Sequence, residues 1–342
     1  MIINLFKVND YKITLKQLKI SLVAFLFMFS FSVSASSAIQ NNSSDSPVTS
    51  ANDSPISILY NMQDAVLHSD YQIYYVVEES AEDSRTLRYR HLNINDNSYA
   101  QLLYLEGSAK EIILYADTVS YFQPESASFS FPTKRIIEAF PDVIYSNFNE
   151  LSKYYDFVLL GKARTANRNS KLIRIVPKDK DRYNYVVWID DESHLPLRID
   201  LLDLETNIIR QQKVLSVDMN FDKQKFKNNL ESRNYPILFP ANSKNKDFNS
   251  WQVNWLPNGF TESAAYNVNY EQLTIDTRLF SDGIFSFTVN VSEASSPEKT
   301  THIVTQGIKT IYSTNLNNMN VVIIGNIPLD TIEKIAKNIS NK

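Results

Sequence analysis

The residues with the clearest chemical capacity lie in one short stretch, WIDDESHLPLRIDLLD, which runs from Trp188 to Asp203. It contains five carboxylates, one histidine and one arginine, which are side chains that act in acid–base catalysis and in metal binding. A metal site needs several converging ligands, and no second histidine lies nearby in the sequence. The capacity of this stretch for acid–base work therefore depends on whether its carboxylates are buried or in water.

Two alternating segments enclose these carboxylates and predict a β-hairpin. The segments YNYVVWID and LPLRIDLLD alternate as half-buried strands do, and DESH between them has turn composition. A hairpin places Asp191, Glu192 and His194 at an exposed tip. Catalytic groups need an environment that shifts their acidity, and an exposed tip provides none. Arg198 and Asp200, neighbours on one strand face, are interpreted as a surface ion pair that contributes little to stability.

Other patterns in the sequence exclude several classes of enzyme. No cysteine is present, which excludes disulfides and thiolate catalysis, and the six glycines form no phosphate-binding loop. No G-x-S-x-G elbow occurs, and the histidines do not form a metalloprotease pattern; they are His68, His91, His194 and His302. A serine–histidine–aspartate triad stays open, since its members need not be adjacent. The sequence predicts no catalytic residue, no metal and no cofactor.

The first 38 residues predict a cleavable export signal. Four lysines precede the apolar run ISLVAFLFMFSFSV, which is shorter than the roughly 20 residues of a membrane span. Small residues follow, and cleavage after Ala35 or Ala38 fits a secretory signal. An uncleaved anchor helix is the alternative. The sequence therefore predicts an exported protein.

Residues 39–54 and 55–219 differ in pattern. The first segment is polar without an apolar period, which predicts a disordered lead-in. Ser54 and Pro55 then predict a helix start, and the helix should bury one face; that face contains Ile58, Leu59, Met62 and Val66. Tyrosine-rich segments of period two follow, with a helix expected at TKRIIEAF. An antiparallel sheet with one or two helices is predicted here.

A second domain is predicted after a linker. Residues 220–250 are polar and rich in asparagine and lysine, and they are interpreted as the linker. In residues 251–342, the pair Asp282–Gly283 lies between alternating segments and predicts a hairpin turn. A terminal helix is expected after Pro328, with its apolar face formed by Ile332, Ile335, Ala336 and Ile339. This predicts a smaller α+β domain.

Two further groups of residues are candidates for binding. Arg88 and Arg90 share one face of LRYRH, either as a solvated charged face or as a pair that meets a phosphate or carboxylate. The aromatic content of 12% fits an ordinary core or a cavity for an acyl chain, lined by Tyr104, Phe122 and Trp188. The net charge of −4 argues against a nucleic-acid partner.

Five stretches resemble the MucB/RseB family of bacterial periplasmic regulators in sequence, order and spacing: LRYRH, VIYSNFNELSKYYDF, YVVWIDDESHLPLRIDLLD, WLPNGF and LFSDGIFSFTVNV. They cover both predicted domains, from about residue 55 to the end of the chain. The resemblance implies a first domain like the half-open antiparallel β-barrel of the lipoprotein carriers LolA and LolB, with helices. It implies a smaller α+β domain after it, so the fold class is mainly β plus α+β.

The resemblance also implies a function without catalysis. Such proteins bind the periplasmic segment of the membrane-spanning anti-sigma factor RseA and shield it from the first protease of the sigma-E envelope stress response. Lipid or lipopolysaccharide signals release them. A periplasmic carrier of lipid or lipoprotein is the alternative. The sensed lipid and the formation of a homo-oligomer are left open.

Seven motif positions are the candidates for partner contact: Arg88, Arg90, Trp255, Gly259, Phe260, Asp282 and Gly283. Several also fit a role in the fold. Gly283 suits a positive φ, and Trp255 and Phe260 suit a core.

Overall fold

The computed structural model describes residues 54–80, 82–238, 251–270, 273–294, 300–316 and 318–342. The predicted export signal, the lead-in up to residue 53 and residues 239–250 of the predicted linker lie outside these residues. All described residues belong to one compact unit, residues 32–342. Within them, no helix combines the length and the apolar character that a membrane span requires.

The first part of the chain forms an antiparallel sheet of eleven strands in the order β6-β5-β4-β3-β2-β1-β11-β10-β9-β8-β7. The strands are β1 Tyr71–Glu79, β2 Arg85–Ile94, β3 Asn97–Tyr104, β4 Glu111–Tyr115, β5 Thr118–Phe122, β6 Phe129–Pro132, β7 Tyr155–Thr165, β8 Arg168–Pro177, β9 Asn184–Asp190, β10 Pro196–Leu202 and β11 Ile208–Asp218. The edge strands β6 and β7 do not pair with each other, so the sheet is half-open.

Helix α1, Pro55–His68, packs on the face of this sheet that we call the inner face. The Ser54 hydroxyl caps the helix by accepting a hydrogen bond from the N–H of Ser57 at 3.1 Å. The apolar face predicted from the sequence is confirmed: Ile58, Leu59, Met62 and Val66 are all buried. The 3-10 helix Asp142–Tyr145 and the short helix α2, Phe148–Leu151, also bury apolar residues in this core.

The helix expected at TKRIIEAF does not form, and the segment consists of turns. Tertiary contacts hold the end of this segment. The carbonyl of Ala139 accepts hydrogen bonds from the Tyr75 hydroxyl at 3.2 Å and from Nε2 of Gln212 at 3.0 Å. Ile136 and Phe140 are buried, so the segment contributes its apolar side chains to the core without a helical backbone.

Part of the predicted linker is a helix. Helix α3, Lys223–Glu231, begins at Asp222, whose side chain accepts a hydrogen bond from the N–H of Lys225 at 2.9 Å. Phe226 and Leu230 are buried against the opposite side of the first sheet, which we call the outer face. The polar composition of this segment concealed a one-sided apolar helix.

The second part of the chain forms a six-stranded sheet in the order β13-β14-β15-β18-β17-β16. The strands of this sheet are β13 Thr261–Tyr270, β14 Leu273–Ser281, β15 Ser286–Glu293, β16 Thr301–Gln306, β17 Lys309–Leu316 and β18 Met319–Gly325. Two further strands, β12 Trp251–Val253 and β19 Ile339–Asn341, pair with each other, and helix α4, Leu329–Lys337, lies between β18 and β19 in the chain. Ile339, predicted on the terminal helix, lies instead in β19. The architecture predicted from the sequence, a half-open sheet followed by a smaller sheet domain, is confirmed.

The two sheets share one hydrophobic core. A single cluster of buried side chains contains Ile73 and Val187 of the first sheet together with Phe287 and Ile323 of the second. Phe285, from the turn between β14 and β15, stacks on Tyr185 of β9 with ring centroids 5.6 Å apart. Apolar contact therefore joins the two parts of the chain directly.

Candidate functional site: the junction between the two sheets

The acidic stretch that opened the sequence analysis forms the β9–β10 hairpin, as predicted. Glu192 and His194 are exposed at its tip, and Asp191 beside them is partly exposed. His194 has a positive φ of 59°, a conformation that fits a tight turn. Among the described residues, no group of three or more histidine, aspartate or glutamate side chains is arranged to hold a metal ion.

Asp190, at the base of this hairpin, has a structural role. Its side chain is 1% exposed and accepts hydrogen bonds from Nε of Arg168 at 2.8 Å and from the N–H of Ser193 at 2.9 Å. Burial acts to raise the pKa of Asp190, but the hydrogen bonds from Arg168 and Ser193 outweigh it and lower the pKa overall. The carboxylate therefore stays charged and fixes the turn.

The prediction of a surface ion pair between Arg198 and Asp200 is wrong, because Asp200 is buried. Nε of Arg198 donates to Oδ1 of Asp200 at 2.8 Å, and its Nη2 donates to Oδ2, so the pair is bidentate. The same guanidinium lies 4.5 Å from the centroid of the Trp188 ring. Trp188 thus covers an ion pair on the outer face, whereas its neighbour Val187 enters the core.

The three aromatic residues predicted to line an acyl cavity lie in different places. Tyr104 packs at the margin of the shared core on the inner face, with Nζ of Lys110 4.8 Å from its ring centroid. Phe122 packs in the outer-face cluster that also contains α3, with the guanidinium of Arg233 4.8 Å away. The structure does not bring Tyr104, Phe122 and Trp188 into one cavity.

Arg88 and Arg90 both point from β2 to the outer face. Arg90 donates to Oε1 of Gln72 at 2.5 Å and lies 5.7 Å from the Phe226 ring, while Arg88 donates to Oε1 of Gln101 at 3.3 Å. Burial lowers the pKa of Arg90, and the charge of Arg88 lowers it further. Within the described part of the chain, both guanidinium groups have side-chain amides as hydrogen-bond partners.

Most of the other predicted positions lie at or beside the junction. There, Arg182 and Tyr183 of the β8–β9 loop contact Asn258, Phe260, Asp282 and Phe285. Arg182 is the centre of the junction and is fully buried. Its Nη1 donates to Oδ2 of Asp282 at 2.8 Å, and its Nη2 donates to the Asp179 carboxylate and to the carbonyl of Asn258. The guanidinium lies 5.1 Å from the Tyr155 ring centroid and 5.5 Å from that of Phe260.

Asp282 is the residue of the second sheet that completes this junction. Its side chain is fully buried. Its Oδ1 accepts hydrogen bonds from the N–H groups of Ile284 at 2.9 Å and Phe285 at 2.8 Å, and Oδ2 accepts from the Tyr155 hydroxyl. Gly283 has the predicted positive φ, at 96°. Asp282 therefore shapes its own turn and binds the first sheet at the same time.

Arg182 stays charged and Tyr155 stays neutral at ordinary pH. Burial acts to lower the pKa of Arg182, but its hydrogen bond to Asp179 and the negative groups around it outweigh burial and raise the pKa. Burial raises the pKa of Tyr155, and the charge of Asp282 raises it further. The junction therefore holds a permanent cation between two carboxylates and a neutral phenol. The cation and the Asp282 carboxylate are shielded from solvent, so neither of these two groups is placed to act on a substrate.

The WLPNGF motif forms the other wall of the junction. Gly259 has φ of +87°, and a Cβ there would lie 2.8 Å from the ring of Tyr154. Phe260 is buried, as predicted, whereas Trp255 is only partly buried and has Nζ of Lys334 3.7 Å from its ring centroid. Close packing of this motif requires glycine at position 259.

A second contact between the sheets lies at the end of β1. The N–H of Ile308, in the β16–β17 hairpin, donates to Oε1 of Glu79 at 2.8 Å. Burial lowers the pKa of Lys309, and the charge of Glu79 opposes that shift. Burial likewise raises the pKa of Glu138, and the charge of Lys110 opposes it. The second sheet is thus attached to the first at two separate places.

Sequence reasoning missed Arg182 and Tyr155. Arg182 lies in KDKDRYNY, whose composition is that of a solvated turn. Its partner Asp282 is 100 residues away in the chain. The one local signal is Asp179, three residues before it, which supplies one of its ion pairs.

Comparison with known proteins identifies the family. The MucB/RseB N-terminal domain matches residues 54–234, and the MucB/RseB C-terminal domain matches residues 245–340. The sigma-E factor regulatory protein RseB of Escherichia coli (strain K12) is 36% identical over 257 residues, which cover 74% of this chain and 80% of that protein. The protein of the same description from Haemophilus influenzae is 36% identical over 280 residues, which cover 81% and 88%.

Solved structures have the same fold. A complex of Pseudomonas aeruginosa MucA and MucB aligns with a TM-score of 0.67 and 18% identity, over 84% of this chain and 99% of that chain. MucB in complex with MucA(peri) aligns with a TM-score of 0.65 and 19% identity, over 84% and 98%. On the sequence matches across both sheets, this chain belongs to the MucB/RseB family.

Proposed function

We propose that this chain is a periplasmic negative regulator of the sigma-E envelope stress response. It binds the periplasmic segment of an RseA-type anti-sigma factor and shields that segment from proteolysis. The observation that carries the proposal is the family match over both sheets, to relatives described as sigma-E factor regulatory protein RseB. The proposal includes no catalysed reaction, no cofactor and no metal.

The two sheets divide this work in the proposal. Residues 251–342 supply most of the partner-binding surface, and residues 55–219 respond to a lipid or lipopolysaccharide signal. The inner face of the first sheet is filled by the protein's own side chains, among them Tyr75, Leu102 and Phe140. An acyl chain that enters there has to displace such side chains. Lipid binding therefore favours a second arrangement of the core.

Such a rearrangement provides the coupling between lipid and partner. A ligand shifts an equilibrium only by its preference for one of two states, and the coupling between two sites is typically about 1–3 kcal/mol, or 5- to 150-fold in affinity. The junction joins the two sheets through Arg182 and Asp282. It is therefore the element whose two arrangements would carry the signal.

Calorimetry on the full mature chain tests the proposal. The probe is a synthetic periplasmic segment of the cognate anti-sigma factor, titrated with and without lipopolysaccharide. We expect binding that lipopolysaccharide weakens at least fivefold, and by reciprocity the segment should weaken lipopolysaccharide binding equally. Absence of segment binding in both conditions contradicts the proposal. Lipopolysaccharide binding without segment binding supports the alternative, a periplasmic carrier of lipid or lipoprotein.

Export is tested separately. The intact mass of protein taken from the periplasm should correspond to loss of the first 35 to 38 residues, because Ala35 and Ala38 are the expected cleavage positions. A mass that retains Ile20–Val33 would instead support an uncleaved anchor.

A further inference from the structure

The two edges of the eleven-stranded sheet end differently. The short edge strand β6 is covered by the chain itself. The N–H of Ser130 donates to the carbonyl of Ile237 at 3.2 Å, its hydroxyl donates to the carbonyl of Pro236 at 2.9 Å, and Ser130 forms a parallel bridge with Leu238. The other edge strand, β7, is eleven residues long and pairs only with β8 among the described residues.

The exposed part of β7 is apolar. Val158, Leu159 and Leu160 are consecutive and are 44%, 42% and 53% exposed. Val158 lies opposite Arg174 of β8 and Leu159 opposite Ile173, so the exposed side chains lie on both faces of the sheet. Long apolar edges with free backbone groups pair readily with other chains, and soluble proteins normally cover or charge them. The ladder with β8 has one register irregularity, between Leu159 and Gly161, and regular pairing on either side of it. With that interruption, the β7 edge has the properties of a strand-addition site.

Charge distinguishes the two ends of this edge. Asp156 lies near its start, whereas Lys162 and Arg164 are exposed near its end. An added strand with carboxylates at this end would compensate the local positive charge.

We propose that β7 binds an extended peptide segment of another protein by strand addition. The segment alternates apolar and small polar residues, runs antiparallel to β7 and has acidic residues at its N-terminal end. Antiparallel addition continues the pairing of every ladder in this sheet and is slightly more stable per residue than parallel pairing. It places the N-terminal end of the segment beside Lys162 and Arg164. The inference does not depend on the identity of the anti-sigma factor.

Fluorescence anisotropy on the full mature chain tests this site with three labelled synthetic peptides. The first is EETVTVTVT, the second is its reversal TVTVTVTEE, and the third replaces two alternate threonines of the first by proline, which cannot donate to a ladder. We expect the first to bind at least tenfold more tightly than either of the others. On binding, amide hydrogen exchange should slow within residues 156–162.

Two protein variants localise the binding. Val158→Glu combined with Leu160→Glu should weaken the first peptide at least tenfold. Leu215→Glu is the control for exposed apolar surface, because Leu215, at 52%, lies on the interior strand β11, at the register irregularity of its ladder with β1. Circular dichroism verifies that both variants are folded, since all three side chains are at the surface.

Several outcomes overturn the proposal. Equal weakening by the control variant shows non-specific adhesion, and equal affinity for the proline peptide excludes a backbone ladder. Tighter binding of the reversed peptide contradicts the antiparallel orientation. A dimer in analytical ultracentrifugation that the double variant converts to monomer, without peptide binding, assigns the edge to a second copy of this chain.

Discussion

The junction around Arg182 and the tip of the β9–β10 hairpin contain the same kinds of residues in opposite surroundings. At the junction, Arg182 and Asp282 are fully buried and bind each other across two sheets. At the tip, Glu192 is 82% exposed and its partner Arg168 is shared with Asp190. The exposed carboxylates of the tip are thus less consequential than the buried ones of the junction. The contribution of a charged side chain to stability depends on how much hydration it loses on burial and on the partner that replaces that hydration.

The largest expected effect is at the junction. Asp282→Ala should lower the free energy of unfolding by about 3–5 kcal/mol, because it leaves the buried Arg182 cation without its fully buried partner. Urea unfolding of the full chain measures this. The combined change Arg182→Met with Asp282→Leu is the control, since it removes both charges and should cost less than Asp282→Ala alone. A loss below about 1 kcal/mol for Asp282→Ala would mean that the junction contributes no more than a surface pair.

The second largest loss of stability is expected at Gly259, in the closely packed WLPNGF motif. Gly259→Ala should cost about 2–4 kcal/mol, because the new Cβ adopts a positive φ and lies 2.8 Å from the Tyr154 ring. Gly107→Ala is the matched control: Gly107 also has a positive φ, of 73°, but a Cβ there meets nothing within 4 Å. The difference between the two variants in thermal or urea unfolding isolates the steric contribution. If both variants lost the same unfolding free energy, the contact with the Tyr154 ring would make no steric contribution.

The base of the hairpin gives a pH-dependent effect. The pKa of Asp190 is lowered in the folded chain from its ordinary value of 3.8. Its stabilisation is therefore fully present above the unfolded-state pKa and is lost as pH falls through the folded-state pKa. Asp190→Asn should cost about 1.5 kcal/mol at pH 7, and this difference from the unchanged protein should shrink below pH 4. A difference that is constant between pH 7 and pH 3 contradicts the assignment of the shift to this carboxylate.

The tip of the hairpin gives the smallest effect. Replacing Asp191, Glu192 and His194 together by asparagine, glutamine and asparagine should change the unfolding free energy by less than about 1 kcal/mol. Binding of the anti-sigma segment should persist in this variant when it is measured by the same calorimetry. If the triple change abolished a hydrolytic activity of the protein, the tip would be a catalytic site after all.

Local patterns were sufficient for most strands, for α1 and for the Asp282–Gly283 turn, because each depends on residues adjacent in the chain. They failed where distant partners decide. The segment TKRIIEAF forms turns, and its Ala139 carbonyl is bound by Tyr75 and Gln212, which lie far away in the chain. Helix α3 had a local signal, Phe226 and Leu230 at helical spacing, that the polar composition obscured.

The sequence pointed to only some of the residues of the junction, for the same reason. Asp282, Gly283, Gly259 and Phe260 were found as motif positions, but the sequence could not place them around Arg182. An alternation pattern assigns a residue to one face of a strand, but it does not show whether another part of the chain packs on that face. For that reason Asp200 was expected at the surface although it is buried.

The strand order of the first sheet has a consequence for the rate of folding. Every ladder in it joins strands that follow one another in the chain, except the ladder between β1 and β11, in which Gln72 pairs with Asp218. Hairpins between neighbouring strands form within about 1–10 μs, whereas pairing β1 with β11 closes a loop that contains the rest of the sheet. The two runs of consecutive strands, β1–β6 and β7–β11, can therefore each form early and independently. The β1–β11 ladder is expected to form last and to set the time that the sheet needs to refold.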